Sequence, residues 1–270
     1  MQQSPEQRMS GQLSPIDRAK YAAARRAVEF VEDGMCVGLG TGSTAAWMVR
    51  CLGELVREDG LRITGVPTSS RTAALARQMD IPLSTLEDVK WLDLTIDGAD
   101  EFDADLSLIK GGGGALLHEK IVAAASDQMI VISDVAKEVT ALGAFPLPVE
   151  VIPFGWQTTR ALIEETLTGL DVMGHDVVLR MNGTEPFYTD EGNLILDLGL
   201  RSIGNARQLS LVLNQIPGVV ENGLFIDMCD IVVIGHGDGR VEVRDIGAGT
   251  VEEDRIDFAE GENIFRNALD

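Results

Sequence analysis

The fold is decided by residues 35–46, Met35-Cys36-Val37-Gly38-Leu39-Gly40-Thr41-Gly42-Ser43-Thr44-Ala45-Ala46. The first six residues read as a short buried strand. The glycine and hydroxyl residues Thr41 to Thr44 break it, and a helix is expected from Ala45 to about Leu55. Upstream, Ser14-Pro15-Ile16-Asp17 carries an N-cap, a proline at the first helical position and an acid in the first turn. That helix should run through Lys20 and Ala24 to about Val31 and stop at Asp33-Gly34.

Downstream, the strand–loop–helix unit recurs. Strands are expected at Arg62–Val66, Leu92–Ile96 and Met129–Ser133, with a short extended piece at Ser107–Ile109. Helices are expected up to about Met79 and from Ala115 to about Ser126. Apolar strands alternating with helices predict an α/β fold, an open and mostly parallel Rossmann-like sheet with helices on both faces. After Phe145-Pro146-Leu147-Pro148 the order becomes βαββαβ, the split unit of a smaller α+β ferredoxin-like domain. Ile231 to Gly235 is again an apolar strand, so the chain is expected to return to the first sheet. The expected organisation is therefore a mobile polar stretch at 1–13, a Rossmann-like domain from 14–145 and 226–243, a ferredoxin-like domain from 146–225, and a weakly patterned acidic extension from 244–270.

Charge narrows the function classes. The chain has 270 residues, with 22 Lys plus Arg against 43 Asp plus Glu, a formal net charge of −21. Such a surface repels nucleic acid and anionic lipid, so neither is an expected partner. No stretch approaches the roughly 18 to 20 apolar residues that span a bilayer. The first residues lack the apolar core of a signal peptide, so the expected location is the cytoplasm. The three cysteines have neither metal nor redox spacing and read as small apolar residues. Only 5 of the 22 basic residues are Lys. Two readings of this stay open: adaptation to high salt, which screens carboxylate repulsion, and codon bias towards Arg.

Ligands of an open parallel sheet bind beyond the carboxyl ends of its strands. Five unusual loops are expected on that rim: Gly40–Thr44, Thr68–Ser70, Asp97–Asp100, Lys110–Gly114 and Asp134–Lys137. The first is a phosphate cradle of helix N-terminal N–H groups, or a plain capped turn. It lacks the third glycine of the dinucleotide fingerprint, because position 43 is Ser. The acid expected after the second strand is replaced by Thr68–Ser70, and no Walker A lysine is present. A small phosphate ester fits better than NAD or ATP.

Asp97 and Asp100 lie three apart, suited to dividing acid and base roles, to a hydrogen-bonded turn, or to holding a metal. The histidines have no ligand spacing, and His118-Glu119 does not begin HExxH because position 122 is Val. Neither metal nor cofactor is expected. Glu119 shares its helix face with Ala115, Leu116, Val122, Ala123 and Ser126. A carboxylate there is costly to bury without a task or a partner, and its charged form is disfavoured, which makes it a general base near neutral pH. The alternative is a glutamate that reaches solvent or pairs with a lysine. Lys110, followed by four glycines, places positive charge near the same rim, with backbone free to approach a ligand. A cradle, a base, two more carboxylates and a lysine are what proton transfer between adjacent carbons of a sugar phosphate requires.

Thr41-Gly42-Ser43-Thr44, Asp97-Gly98-Ala99-Asp100-Glu101, Lys110-Gly111-Gly112-Gly113, His118-Glu119-Lys120-Ile121 and Phe145 to Val151 closely resemble type A ribose-5-phosphate isomerases, over roughly residues 18–240. The resemblance implies metal-free, reversible conversion of ribose 5-phosphate and ribulose 5-phosphate in the pentose phosphate pathway. It implies that Glu119 moves the proton between C1 and C2, that Asp97 helps to open the ring and shuttles protons among the oxygens, and that Asp100 and Lys110 hold hydroxyls and the developing oxyanion. Thr41, Gly42, Ser43, Thr44, Gly98, Ala99, Gly111, Gly112 and Gly113 are implied at the substrate, with Lys20 and Lys137 as further cations there. A homodimer or homotetramer is implied as well. The rivals are a non-catalytic sugar-phosphate sensor and related enzymes such as an amino-sugar phosphate deaminase or an acyl-CoA transferase.

Overall fold

The computed structural model describes residues 13–258. The expected mobile stretch 1–13 lies outside the described residues except for Leu13, which packs against the main core. Residues 259–270 of the expected acidic extension lie outside them too.

Ser14 caps α1 (Pro15–Ala27) by accepting the Asp17 N–H, and Arg25 and Arg26 occupy its last turn, where cations suit the helix dipole. The chain continues through β1 (Cys36–Leu39), α2 (Ser43–Glu54), β2 (Thr64–Pro67), α3 (Ser70–Gln78), α4 (Leu86–Val89), β3 (Leu94–Gly98), β4 (Glu101–Phe102), β5 (Leu108–Ile109), α5 (Leu116–Ala124) and β6 (Met129–Asp134). Next come β7 (Leu147–Val151), α6 (Trp156–Leu167), β8 (Asp176–Leu179), a small hairpin of β9 (Met181–Asn182) and β10 (Glu185–Pro186), β11 (Leu194–Gly199), α7 (Ala206–Leu213) and β12 (Val219–Asn222). The described chain ends with β13 (Leu224–Phe225), β14 (Ile231–Gly235), β15 (Arg240–Asp245) and β16 (Thr250–Arg255).

The main sheet has the order β16-β15-β14-β6-β3-β1-β2 and is parallel from β14 to β2. Its strand order reverses between β1 and β3, so the loops after these two strands part and leave a crevice. Apolar residues of α1, α2 and the central strands form one core. The smaller sheet, β12-β7-β11-β8, is antiparallel throughout and has its own core from Leu147, Val149, Val151, Ile163, Leu196 and Leu213. With α6 and α7 as crossovers, this is the expected ferredoxin-like arrangement, with β9 and β10 as an addition.

Two local readings differ from the structure. β3 extends two residues beyond Ile96, because Asp97 and Gly98 stay in register with Val131 and Ile132 of β6. Asp97 is therefore a strand residue, and only Asp100 lies in the turn. The main sheet also does not end near residue 243. β15 pairs antiparallel with β14 and buries Val241 and Val243, while β16 pairs with β15 and is exposed throughout. Antiparallel edges are stable with one face wet, so alternating valines suffice for β15. Arg26 reaches Glu252 at 3.5 Å and Asp254 at 3.6 Å, partly offsetting the acidity of β16.

Close approaches hold the elements around the crevice. A Cβ at Gly38 would come within 2.1 Å of Thr95 Oγ1 and 2.7 Å of Val122 Cγ1, so glycine lets α5 settle on β1 one turn beyond Glu119. The smaller sheet is tied to the main body by Asp190, which accepts Ser70 N–H at 2.8 Å, and by Lys120, which donates to Glu221 at 2.9 Å and to Asn222 O at 2.6 Å.

Candidate active site

A cavity of about 410 Å3 opens at the carboxyl ends of β1 and β3, within the range usual for small-molecule sites. Its wall includes Lys20, Thr41, Gly42, Ser43, Thr44, Gly98, Ala99, Asp100, Lys110, Gly111, Gly113, Glu119 and Lys137. The five rim loops do not all contribute: no residue of Thr68–Ser70 lines it.

One end is cationic. Gly42 is the N-cap of α2, and the first turn closes with Ala46 N–H donating to Gly42 O at 2.9 Å. The N–H groups ahead of it have no acceptor within the helix, which makes the helix start an anion site. Lys20, on α1, donates to Ser43 Oγ at 3.0 Å. Asp134 caps the short 3-10 turn Val135–Lys137 by accepting Ala136 N–H at 3.0 Å, and this turn places Lys137 in the wall. Lys137 Nζ also lies 5.9 Å from the centre of the Phe145 ring. The Thr41 hydroxyl is occupied elsewhere, 2.7 Å from Thr68 Oγ1 and 2.8 Å from Ser69 Oγ. Thr68–Ser70 thus supports the cradle from behind.

The other end holds buried charge. Lys110, expected near the rim, is 2% exposed, and Glu119 is 3% exposed. Lys110 Nζ lies 3.0 Å from Asp97 Oδ2 and 3.4 Å from Glu119 Oε2, and donates a hydrogen bond to Gly98 O. The two carboxylate contacts are ion pairs without hydrogen-bond alignment, so neither oxygen has an aligned donor. Burial pushes the Glu119 carboxyl up to about 8; Lys110 opposes this, and the charges of Asp97 and Asp100 add to it. Asp97 is also raised, by burial first, against Lys110 and the backbone donors. Burial acts downward on Lys110, but Asp97 and Glu119 outweigh it, and the ammonium is held protonated. Two carboxyls that resist ionisation around one fixed cation make a proton-transfer site.

Asp97 and Gly112 are not in the cavity wall. Asp97 Oδ1 accepts the N–H groups of Thr41 at 3.0 Å and Gly98 at 2.7 Å, and a Cβ at Gly40 would strike this oxygen at 2.1 Å. Asp97 therefore reaches the cavity through Lys110. Gly112 N–H donates to Asp100 Oδ2 at 2.7 Å, fixing a carboxylate that does line the wall.

The family model for ribose 5-phosphate isomerase A (phosphoriboisomerase A) matches residues 64–239. A ribose-5-phosphate isomerase A from Ruegeria sp. (strain TM1040) is 74% identical over 262 residues, covering 97% of this chain and 100% of the relative. The chain belongs to the ribose 5-phosphate isomerase A family. Solved ribose 5-phosphate isomerases share the fold. The one from Methanocaldococcus jannaschii is 40% identical with a TM-score of 0.75, over 88% of this chain and 98% of that one. Another, in complex with phospho-erythronic acid, is 38% identical with a TM-score of 0.77, over 90% and 100%.

Several residues were not among the candidates. Ile16 and Asp134 line the cavity; Asp134 had a signal, since it opens a loop already placed on the rim. Glu101 is buried and accepts the N–H groups of Gly143, at 2.7 Å, and of Phe145, bracing the segment under Lys137. Arg180 contacts the glycine run from the smaller sheet, which no local pattern announces.

Proposed function

We propose that this chain, like the family it belongs to, reversibly converts D-ribose 5-phosphate to D-ribulose 5-phosphate through an enediolate. The observation that carries the reading is a buried carboxyl in a cavity wall, Glu119, with the Lys110 ammonium 3.4 Å away. The start of α2, with Lys20 and Lys137, takes the phosphate. The Glu119 carboxylate removes the C2 proton of the open-chain aldose, and the electron pair moves onto O1. Lys110 and N–H groups of the glycine run stabilise that oxyanion. A proton then passes from O2 to O1 with Asp100 as the wall acceptor, and Glu119 returns its proton to C1. Asp97 serves as a positioning residue in this scheme. The resemblance assigns ring opening to it as well; in this scheme Asp97 holds the Lys110 ammonium, 3.0 Å from its carboxylate, in place for the sugar oxygens.

The test is pentose-phosphate isomerisation by purified protein with EDTA present. The Glu119→Gln variant should lose at least about a hundredfold in kcat. A variant that stays fast removes Glu119 from the base role, and an inactive wild type removes the reading. Phospho-erythronic acid should compete with the substrate.

We also read the chain as a catalytic domain of 14–145 and 226–243, extended by β15 and β16, with a smaller domain of 146–225. Its place is the cytoplasm, as a homodimer or homotetramer. The resemblance and the exposed apolar Val178, Met181 and Tyr188 on the smaller domain support an assembly. Light scattering tests it: a monomer at micromolar concentration rejects it.

A further inference from the structure

Lys110 is followed by four glycines, a sequence with no side chain of its own to hold a shape. The loop closes one turn of its own, with Gly114 N–H donating to Gly111 O at 3.0 Å, and is otherwise held from outside. Arg180, directly after β8, forms a two-pronged pair with Asp197 of β11, Nε to Oδ2 at 2.9 Å and Nη2 to Oδ1 at 2.5 Å. Its remaining Nη1 donates to the carbonyls of Gly111, at 2.8 Å, and Gly112, at 3.2 Å. A guanidinium offers donors in a rigid plane, so anchoring one edge on Asp197 fixes the direction of the other.

A trans peptide unit is planar, with its C=O and N–H pointing in opposite directions. The Gly111 carbonyl and the Gly112 N–H belong to one such unit. Drawing the carbonyl to Arg180 turns the N–H the other way, and there it meets Asp100 Oδ2 at 2.7 Å. The Gly112 carbonyl and the Gly113 N–H form the next unit. Drawing that carbonyl to Arg180 turns the Gly113 N–H away from the guanidinium, at a residue that lines the cavity. Phe187 adds to the hold: a Cβ at Gly114 would lie 2.4 Å from its ring, and Arg180 Cζ lies 5.9 Å from the ring centre.

We propose that Arg180, anchored by Asp197, is a positioning residue for the isomerisation: it sets two consecutive glycine peptides so that one N–H holds the Asp100 carboxylate and the next faces the sugar oxygens. This rests on the isomerase reading for its kinetic consequence but not for its structural one. Among the described residues, the Arg180 guanidinium hydrogen-bonds only Asp197 and the carbonyls of Gly111 and Gly112, so its effect on turnover passes through the peptide planes and Asp100.

The experiment combines kinetics with amide hydrogen exchange. Arg180→Met removes the donors and keeps most of the apolar stem. It should lower kcat on the order of a hundredfold, the usual cost of a misplaced catalytic group, with KM moved only a few-fold. In an Asp100→Ala background the same substitution should cost much less, since the group it positions is gone. Guanidinium ion at tens of millimolar should restore part of the activity of Arg180→Ala and none to Glu119→Gln. Asp197→Asn, which leaves the guanidinium but loosens its anchor, gives a smaller loss in the same parameter and serves if Arg180→Met does not fold. In both variants the Gly112 amide should exchange faster than in wild type. Full kcat in Arg180→Met or Asp197→Asn, equal losses in the two backgrounds, or unchanged exchange at Gly112 would each overturn the proposal. If wild type lacks isomerase activity, the isomerase reading fails, and the Gly112 exchange rate alone decides for or against the clamp.

Discussion

Replacing Lys110 by Met removes the cation between two buried carboxyls, and the structure sets both the direction and the size of the result. Lys110 Nζ stands 3.4 Å from Glu119 Oε2 and 3.0 Å from Asp97 Oδ2. With an effective dielectric of about 20, the attraction between unit charges at the Glu119 distance is about 5 kcal/mol. At about 1.4 kcal/mol per pKa unit, its loss raises Glu119 by up to about 3.5 units. Asp97 also loses its partner, takes up a proton and relieves part of the repulsion, which leaves a net rise of about 2 units. Glu119 already sits at about 8 through burial. The base form grows with pH, so the acid limb of kcat/KM should move upward. At pH 7.5 the variant should lose about a hundredfold from protonation of the base alone. A further loss of about ten- to a hundredfold follows from the missing oxyanion partner. Only the first loss recovers on raising the pH, at about tenfold per unit towards pH 10. The assay is the pH profile of kcat/KM for both proteins, with circular dichroism at each pH to establish folding. An acid limb that stays at the wild-type position, or moves down, refutes the electrostatic account of the site.

Gly112→Ala places a Cβ 2.7 Å from Asp100 Oδ1, so kcat should fall by about ten- to a hundredfold with little change in Tm. Lys20→Met and Lys137→Met should each raise KM about tenfold or more, and inorganic phosphate should inhibit both variants less than wild type. Gly38→Ala drives a methyl group to 2.1 Å from Thr95 Oγ1, and urea unfolding should show a loss of about 1–3 kcal/mol. The net charge of −21 should make Tm rise by several degrees between low and molar NaCl if the acidic, Lys-poor composition is an adaptation to salt; a flat Tm leaves codon bias as the explanation.

What the sequence disclosed follows the range of the forces involved. The parallel sheet was legible because each strand–loop–helix unit is written in contiguous residues, from the apolar Cys36–Leu39 to the cap at Ser14. The loops of the crevice were legible for the same reason, since strand ends and glycine runs are local. Glu119 was legible as an anomaly, a carboxylate on an otherwise small and apolar helix face. Glu119 is 3% exposed, and the lysine pairing that stood as the alternative is present too, 3.4 Å from Lys110, although nothing in the helix pattern said which lysine or that it would be buried. A lysine beside four glycines looks like a rim residue until β5 and β13 draw it inward: Lys110 N–H donates to Gly223 O at 2.9 Å, across 113 positions of chain.

That distance in sequence explains the remaining misses. Whether β3 stops at Ile96 or carries Asp97 into the sheet depends on β6 lying alongside, and the consequence is large, because a strand residue with two backbone donors on Oδ1 is held behind the wall while a turn residue would face the sugar. Arg180 shows the same effect at its extreme. Nothing near it marks it as special, and its meaning lies in an aspartate 17 residues on and in two carbonyls 69 and 68 residues back. In the proposed mechanism the chemistry falls to residues that stand out in their own neighbourhoods, whereas the positioning falls to residues that do not. Variants of Glu119 and Arg180 should therefore differ in kind: the first loses the proton-transfer step whatever else is present, and the second loses turnover only while Asp100 remains to be positioned.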